Sequence, residues 1–455
     1  MPKMSQYQVF LVFIAVAVMG VTSGAGGELF GVKETVNIAP VWSGHPVGFC
    51  LLTHGNQQYV AFYDAEHRMT VAQRILDSDA WTMVRLPEQV KWDSHNSITM
   101  AVDAAGCLHL AGNMHCVPLV YFKTREPGDI TTFQRLTSLV GDRENKCTYP
   151  KFMTGPKGEF IFTYRHGSSG NGINLYNVYE PETQSWHRLV DGPLLDGEGA
   201  MNAYAIGPEL GPDGWYHMVW VWRDTPDCAT NHDLSYARSK DLVRWETSKG
   251  EPLTLPITIN NCEVVDPVPP GGGIINGNTR LGFDAEDRVI LSYHKYDENG
   301  HTQIYNARLE EAGWRIYQAS DWDYRWEFSG GGTIQFDVHL SGVSLEKGTL
   351  LQSFRCPEGG GLYELDAATL KPIGKGTRSS LGSVVAPATD RSPESDFPGM
   401  GVRWRGDSGE APEDKTWYML RWETLGPNRD RPREKPWPAP GMLRVYKMGL
   451  TVQVG

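Results

Sequence analysis

"GPKGEFIFTYR" (155–165) is a tight turn feeding a short apolar strand that ends on a cation. The segment recurs. "DAAGCLHLAGNMH" (103–115), "GPDGWYHMVWVWR" (211–223), "DAEDRVILSYHK" (284–295) and "LEKGTLLQSFR" (345–355) repeat the turn, the strand and the basic end. Those ends are His115, Arg165, Arg223, His294 with Lys295, and Arg355. The count from turn to basic residue is nine from Gly106 to His115 and from Gly214 to Arg223. It is seven from Gly158 to Arg165, from Asp287 to His294 and from Gly348 to Arg355. Every count is odd, and strand side chains alternate with a period of two, so these residues occupy equivalent sides of equivalent strands.

A second signal follows each strand: an aromatic residue leading into a closing polar strand, at Trp81, Phe133, Trp186, Trp245 and Trp314. Successive spacings of 52, 53, 59 and 69 residues match one four-stranded unit per repeat, the pattern of a propeller blade. Residues 40–450 have room for seven. The expected fold is therefore all-β, a seven-bladed β-propeller forming one domain over residues 27–455. Unrelated β-sandwich domains would leave the shared turn chemistry as coincidence.

Composition agrees with a large core: 455 residues, 40% hydrophobic and 21% charged, with 15 Trp and 50 Gly. The net charge of −12 argues against a nucleic-acid partner but not against an anionic substrate, since local potential governs a site. Lys3, the apolar run 9–21 and the small residues after it have the layout of a signal peptide over 1–25. At 13 residues that run is short for a membrane span. The expectation is a secreted or periplasmic monomer without membrane attachment. Seven cysteines are too sparse for a disulfide scaffold, so most are expected as small buried residues.

Residues just before the innermost strands of a propeller gather on one face of the disc. Here they are His95, Asn96, Tyr149, Asn202, Tyr204 and Asn278. Antiparallel pairing brings the strand ends to them: His115 near His95, Arg165 near Tyr149, Arg223 near Asn202. The resulting groove has substrate-binding candidates Asn96, Asn202, Tyr204, Arg223, His294 and Arg355. It lacks paired carboxylates at equivalent positions, which most glycoside hydrolases need. His, Tyr and Arg suit β-elimination from a uronic acid instead. Arginine neutralises the carboxylate that acidifies the C5 proton, and His or Tyr moves protons. An arginine beside Tyr149 is expected to stabilise its phenolate and lower its pKa.

"SHNSI" (94–98), "GNMHCVPLVYF" (112–122), "YPKF" (149–152), "TYRHGSSGNG" (163–172) and "WRDTPDCATNHDLSYARS" (222–239) together resemble the BNR-repeat-type propellers that include ulvan lyases and related uronate lyases. The resemblance implies an enzyme that cleaves an anionic, uronate-containing and sulfated polysaccharide by β-elimination. It places catalytic roles on His95 and Tyr149, with Arg165 facing the uronate carboxylate and His115 assisting. Tyr149 is then the leading acid, and His95 and Tyr149 are alternative bases. Two other readings stand beside it. "SKDLVRW" (239–245) resembles an incomplete sialidase Asp-box, with Arg165, Arg223, Arg355 and Tyr149 as the sialidase set, and it also resembles a segment of furanosidase propellers. A non-catalytic carbohydrate-binding propeller would keep the arginines and aromatics without needing Tyr149 or His95.

No cofactor is expected for catalysis. Cys228, His232 and Cys262 offer thiolate and imidazole ligands for zinc. Related lyases carry a structural zinc, with His166 as candidate fourth ligand here and His217 as its competitor. A Cys228–Cys262 disulfide or two buried thiols is the alternative. The acidic loop "YDENGH" (296–301) is a candidate calcium site or a solvated turn.

Overall fold

Each turn residue that opens the repeat has a left-handed backbone: Gly106 at φ 82°, Gly158 at 85°, Gly214 at 73°, Asp287 at 59° and Gly348 at 83°. Only glycine, and Asn or Asp at some cost, takes that conformation readily, so the turn chemistry is conformational in origin. The aromatic markers fall in or beside the outermost strand of their sheets: Trp81 precedes Thr82–Gln89, and Phe133 opens Phe133–Leu136.

The computed structural model describes residues 29–376, 391–409 and 416–451. The expected signal segment 1–25 lies outside them. Within them the chain is all-β, with seven antiparallel sheets of four to six strands. The first sheet runs Cys50–His54, Gln57–Tyr63, Arg68–Ile75, Thr82–Gln89, each strand paired to the next in the sequence. The second to sixth follow the same meander, with added short strands in the third, fourth and sixth. The seventh is closed differently. Leu29–Val41 pairs with Gly441–Thr451, so the two ends of the described chain share one sheet.

Central strands are apolar on both faces because neighbouring sheets cover both. In Tyr216–Arg223 every residue is buried. Met218, Trp220 and Trp222 pack toward Ile161 and Tyr176 of the third sheet. Val219 and Val221 pack toward Val289 and Leu291 of the fifth. This alternation places a core on either side of the strand. Other cores join the fifth sheet to the sixth through Ile290, Val343 and Leu350, and the seventh to the first through Trp422, Leu443 and Phe49.

One strand end departs from the repeat. Leu108–Ala111 stops early, the chain turns through Asn113 at φ 57°, and His115–Val117 crosses to pair with Cys147–Thr154 of the third sheet. His115 is thus delivered by a strand of the neighbouring sheet, not by its own.

Candidate active site

Cys147–Thr154 collects the first residues of the site. Thr148 is in register with His115 on one side and with Arg165 on the other. The pairing then slips between Thr148 and Lys151. Tyr149 occupies that bulge at φ 58°, an outlier for a bulky residue and costlier before Pro150. Bulges re-aim side chains, and such strain gathers at functional sites. Tyr149 is turned outward, with 40% of its surface exposed.

The three juxtapositions expected from antiparallel pairing are present. The His95 and His115 rings stack with centroids 3.9 Å apart. The Arg165 guanidinium lies 4.9 Å from the Tyr149 ring centre. Asn202 is in register with Arg223. Tyr149 also faces His95 at 5.7 Å and Tyr204 at 6.2 Å between ring centroids.

The groups that organise this cluster are two aspartates that the repeat does not reveal. Asp93 Oδ1 accepts from the His95 backbone N–H at 3.0 Å and pairs with His95 Nδ1 at 2.7 Å. Its Oδ2 pairs with His115 Nδ1 at 2.6 Å. Burial raises the Asp93 carboxyl, but the bonds from His115 and His95 outweigh it and hold the pKa far below the usual carboxylate range. Asp430 accepts from the Ser94 and Thr333 amides and meets His45 at 3.3 Å and His95 at 3.4 Å. Burial is again outweighed, by the His45 bond, the Ser94 amide and the His95 charge, and Asp430 is held well below its ordinary value. Both carboxylates are ionised and spent on histidines, so neither is a proton donor. Each Nδ1 facing the Asp93 carboxylate donates to it, so in the neutral imidazole the Nε2 atom is the acceptor. The Asp93–His95 pair had a local signal, the Asx-turn spacing of "DSH"; Asp430 arrives from the other end of the chain and had none.

Arg165 is 3% exposed beneath Tyr149 and Tyr204 and donates to Thr148 Oγ1 at 3.1 Å, Cys116 Sγ at 3.4 Å and the Tyr204 hydroxyl at 3.4 Å. It is a charge under the floor rather than an open fork. Arg223 is likewise buried, with its guanidinium donating to the Thr225 and Pro226 carbonyls and to Asn276. Tyr204 completes the floor, its hydroxyl 2.7 Å from Ser169. The expected lowering of the Tyr149 pKa is reversed. Burial and the Tyr204 phenol raise it, against the pull of Arg165 and Arg223. Solvent at the exposed ring tempers that push without changing its direction, so the phenol stays protonated at neutral pH.

Other expected residues sit elsewhere. Asn96 and Asn202 are buried, Asn96 with its carbonyl bonded to the Tyr63 hydroxyl. Arg355 is exposed opposite His339 and, among the described residues, makes no hydrogen bond or ion pair with the cluster. Arg165 and Arg223 are buried against the Tyr204 ring, 5.9 and 5.6 Å from its centre, while Arg355 is exposed on the sixth sheet, so the three arginines of a sialidase site are not all in the cluster. Asp241 of the Asp-box-like stretch instead caps a turn, accepting from Val243 and Arg244 amides.

His294 is 1% exposed, 5.3 Å from the Trp326 ring and 6.4 Å from Phe328, so it is a core residue and not a groove residue. Burial, with the Arg280 and His339 charges, lowers its pKa to about 3 despite an opposing backbone contact at Gly273. Between about 3 and the ordinary 6.5, the unfolded chain binds a proton that the fold refuses. Stability contributed by this group is therefore lost as pH falls through that window, on the order of 5 kcal/mol in full. His294→Phe, which keeps the ring contacts, is expected to flatten the fall of Tm between pH 6.5 and 4. An unchanged slope would place the acid sensitivity elsewhere.

The residues proposed for zinc do not converge. Cys228 lies in an apolar cluster with Ile275 and Trp326, while Cys262 packs with the Trp222 cluster and contacts Ser235 at 3.6 Å. Both His232 nitrogens are taken, by Asp224 and Asp233 at 2.9 Å each. His166 bonds Asn145, and His217 bonds Asp213 and Tyr236. The C-x3-H spacing spans the junction of a short 3-10 turn and a strand, which separates the two side chains. All seven cysteines are free, five of them buried. Asp297 of the acidic loop spends its oxygens on Asn299, His301 and Gln303, as a capped turn does. Among the described residues, Asp93, His95 and His115 are the one group whose potential ligand atoms converge, and there Asp93 already occupies both Nδ1 positions.

The model of a BNR repeat-containing family matches residues 57–322, more than half of the sequence. The chain belongs to that family. This family member is 35% identical over 144 residues to the short-isoform ulvan lyase of Alteromonas sp. (strain LOR), across 28% of this chain and 26% of that protein. It is 27% identical over 140 residues to a long-isoform ulvan lyase of Alteromonas sp., across 28% of this chain and 14% of that protein. The matched stretch thus spans about a quarter or less of those relatives. The fold superposes on the polysaccharide lyase Uly1 with a TM-score of 0.61 at 13% identity, over 92% of this chain and 100% of the other. It superposes on a PL25 ulvan lyase bound to GlcA(1-4)Rha3S with a TM-score of 0.57 at 13% identity, over 91% and 96%. At such identities the likeness is one of fold.

Proposed function

We propose that the seven sheets are the blades of a seven-bladed propeller and that the protein is a polysaccharide lyase. Its substrate is a sulfated, uronate-containing polymer of the ulvan type. The observation that carries this reading is the pairing of two imidazoles with open Nε2 atoms and one protonated phenol above a buried guanidinium. Imidazole Nε2 of His95 removes the C5 proton; Tyr149, the alternative base, is held in its protonated form and serves as the acid. The C5–H electrons form the C4=C5 bond, the C4–O4 bond breaks, and the Tyr149 hydroxyl gives its proton to O4. Arg165, under the ring, stabilises negative charge on the uronate carboxylate as C5 is deprotonated. His115 shares Asp93 with His95 and keeps a second acceptor beside the first. The similarity to ulvan lyases and the fold shared with a lyase bound to a sulfated disaccharide support the substrate class. The leader-like residues 1–25 support export, and the enzyme is taken to act as a monomer.

The test follows ultraviolet absorbance while the purified chain acts on ulvan and a panel of other uronate polymers. Growth of the conjugated C4=C5 signal is expected. Binding without turnover would indicate a carbohydrate-binding propeller, and new reducing ends without absorbance would indicate hydrolysis.

A further inference from the structure

The segment 428–437, "NRDRPREKPW", is basic in an acidic protein: four Arg or Lys against two Asp or Glu, where the whole chain carries −12. Its first part is consumed by structure. Arg429 donates to the Ser329 and Gly331 carbonyls, and Asp430 joins His45, Ser94, Thr333 and His95. Its second part is not. Arg433 gives one nitrogen to the Gly426 and Pro427 carbonyls, at 2.9 and 3.4 Å. Its Nε is buried without a hydrogen-bond partner. Among the described residues Arg433 has no carboxylate within ion-pair distance. A half-buried guanidinium left in that state favours an oxyanion from outside.

Arg433 lines a cavity of about 550 Å³ between this segment and Phe397–Gly399, with Asn428, Glu434 and Trp437. Trp437 is 36% exposed, with its indole N–H donating to the Arg433 carbonyl at 2.9 Å and the Lys435 ammonium 5.0 Å from its ring centre. The cavity wall also borders residues next to the reaction site. Trp437 meets Trp92 at 5.3 Å between ring centroids, and Trp92 directly precedes Asp93. Asn428 and Pro432, on the cavity wall, flank Asp430, which touches His95. The Trp437–Trp92 contact and Asp430 thus tie the recess to the residues that hold the imidazole pair.

We propose that this recess is a further subsite of the groove, binding a sugar unit of the polymer through its sulfate or carboxylate on Arg433 and its ring face on Trp437. The proposal rests on the lyase reading for its choice of polymer. A sugar ring offers an apolar face that stacks on indole, and a guanidinium pairs with either oxyanion, so one unit satisfies both groups. The unit bound here is remote from the cleaved bond, so its contacts contribute to holding the chain and not to the chemical step.

The experiment compares Arg433→Gln/Trp437→Ala with the native chain on polymeric ulvan and on the shortest oligosaccharide that is cleaved. A KM for polymer raised about tenfold, with kcat unchanged and the short substrate unaffected, is expected. An unchanged polymer KM, or an equal loss on both substrates, overturns the subsite. Desulfated polymer identifies the oxyanion: weaker binding only by the native chain assigns sulfate, and an undiminished difference between native and variant assigns carboxylate. Titration of tryptophan fluorescence with sulfated uronate oligosaccharides, in a Tyr149→Phe background with and without Arg433→Gln, needs no turnover. If the native chain eliminates nothing but this titration still separates the two proteins, the lyase reading fails and the subsite stands. If elimination proceeds and the titrations coincide, the subsite fails and the lyase reading stands.

Discussion

Tyr149→Phe is expected to lower kcat for uronate elimination by about 10²- to 10⁴-fold, with KM and Tm near those of the native protein. The substitution removes one oxygen and little else. The ring keeps its neighbours: His95 at 5.7 Å, Tyr204 at 6.2 Å and the Arg165 guanidinium at 4.9 Å. It also keeps the left-handed backbone at φ 58°, since Phe meets the same steric cost there as Tyr. What is lost is the proton that O4 needs as the C4–O4 bond breaks. The upward-shifted phenol bears on the pH dependence. Burial and Tyr204 raise it above its ordinary value, so the acid form persists through neutral pH and the rate should hold on the alkaline side until the phenol ionises. A Phe variant within a few-fold of native kcat would remove Tyr149 from the reaction. A loss confined to KM would make it a binding residue instead.

What could be read from the sequence was whatever the repeat enforces. The left-handed turn residues, odd counts and distal aromatics are local consequences of a strand meander, and they bring Arg165 against the strand of Tyr149 and Asn202 against Arg223. The reading failed where a residue leaves the repeat. His115 crosses to a neighbouring sheet, and His294 obeys the register yet is covered by the Trp326–Phe328 segment, whose course no strand period predicts. Arg165 was placed on the right strand, but its depth beneath two tyrosines depends on the Tyr149 bulge, and no spacing rule reports depth. Asp430 lies 335 residues from His95, in a segment without repeat pattern, and only the folded chain brings the two together.

Asp93→Asn is expected to reduce kcat by a similar factor, about 10²- to 10⁴-fold, although Asp93 acts only through the two histidines. The carboxylate accepts from both imidazoles at once, Oδ1 from His95 at 2.7 Å and Oδ2 from His115 at 2.6 Å. An amide has one accepting oxygen. Its NH2 group must face the other ring and donate to that Nδ1, which forces the ring proton onto Nε2 and removes an acceptor from the groove. Loss of the negative charge also disfavours the imidazolium, so the acid limb of the kcat/KM profile should move to lower pH. That shift separates a positioning role from a scaffold role, which would lower Tm and leave the profile in place. Some loss of stability accompanies either role. Because the folded Asp93 carboxyl is held below its ordinary value, its contribution is present above about pH 4 and disappears as the pH falls further. Asp93→Asn should therefore narrow the stability difference from the native protein in acid and show its full cost near neutrality. An Asn variant with native kcat and an unmoved acid limb would mean that His95 finds its tautomer without Asp93, leaving Asp430, at 3.4 Å from His95, as the group that sets it.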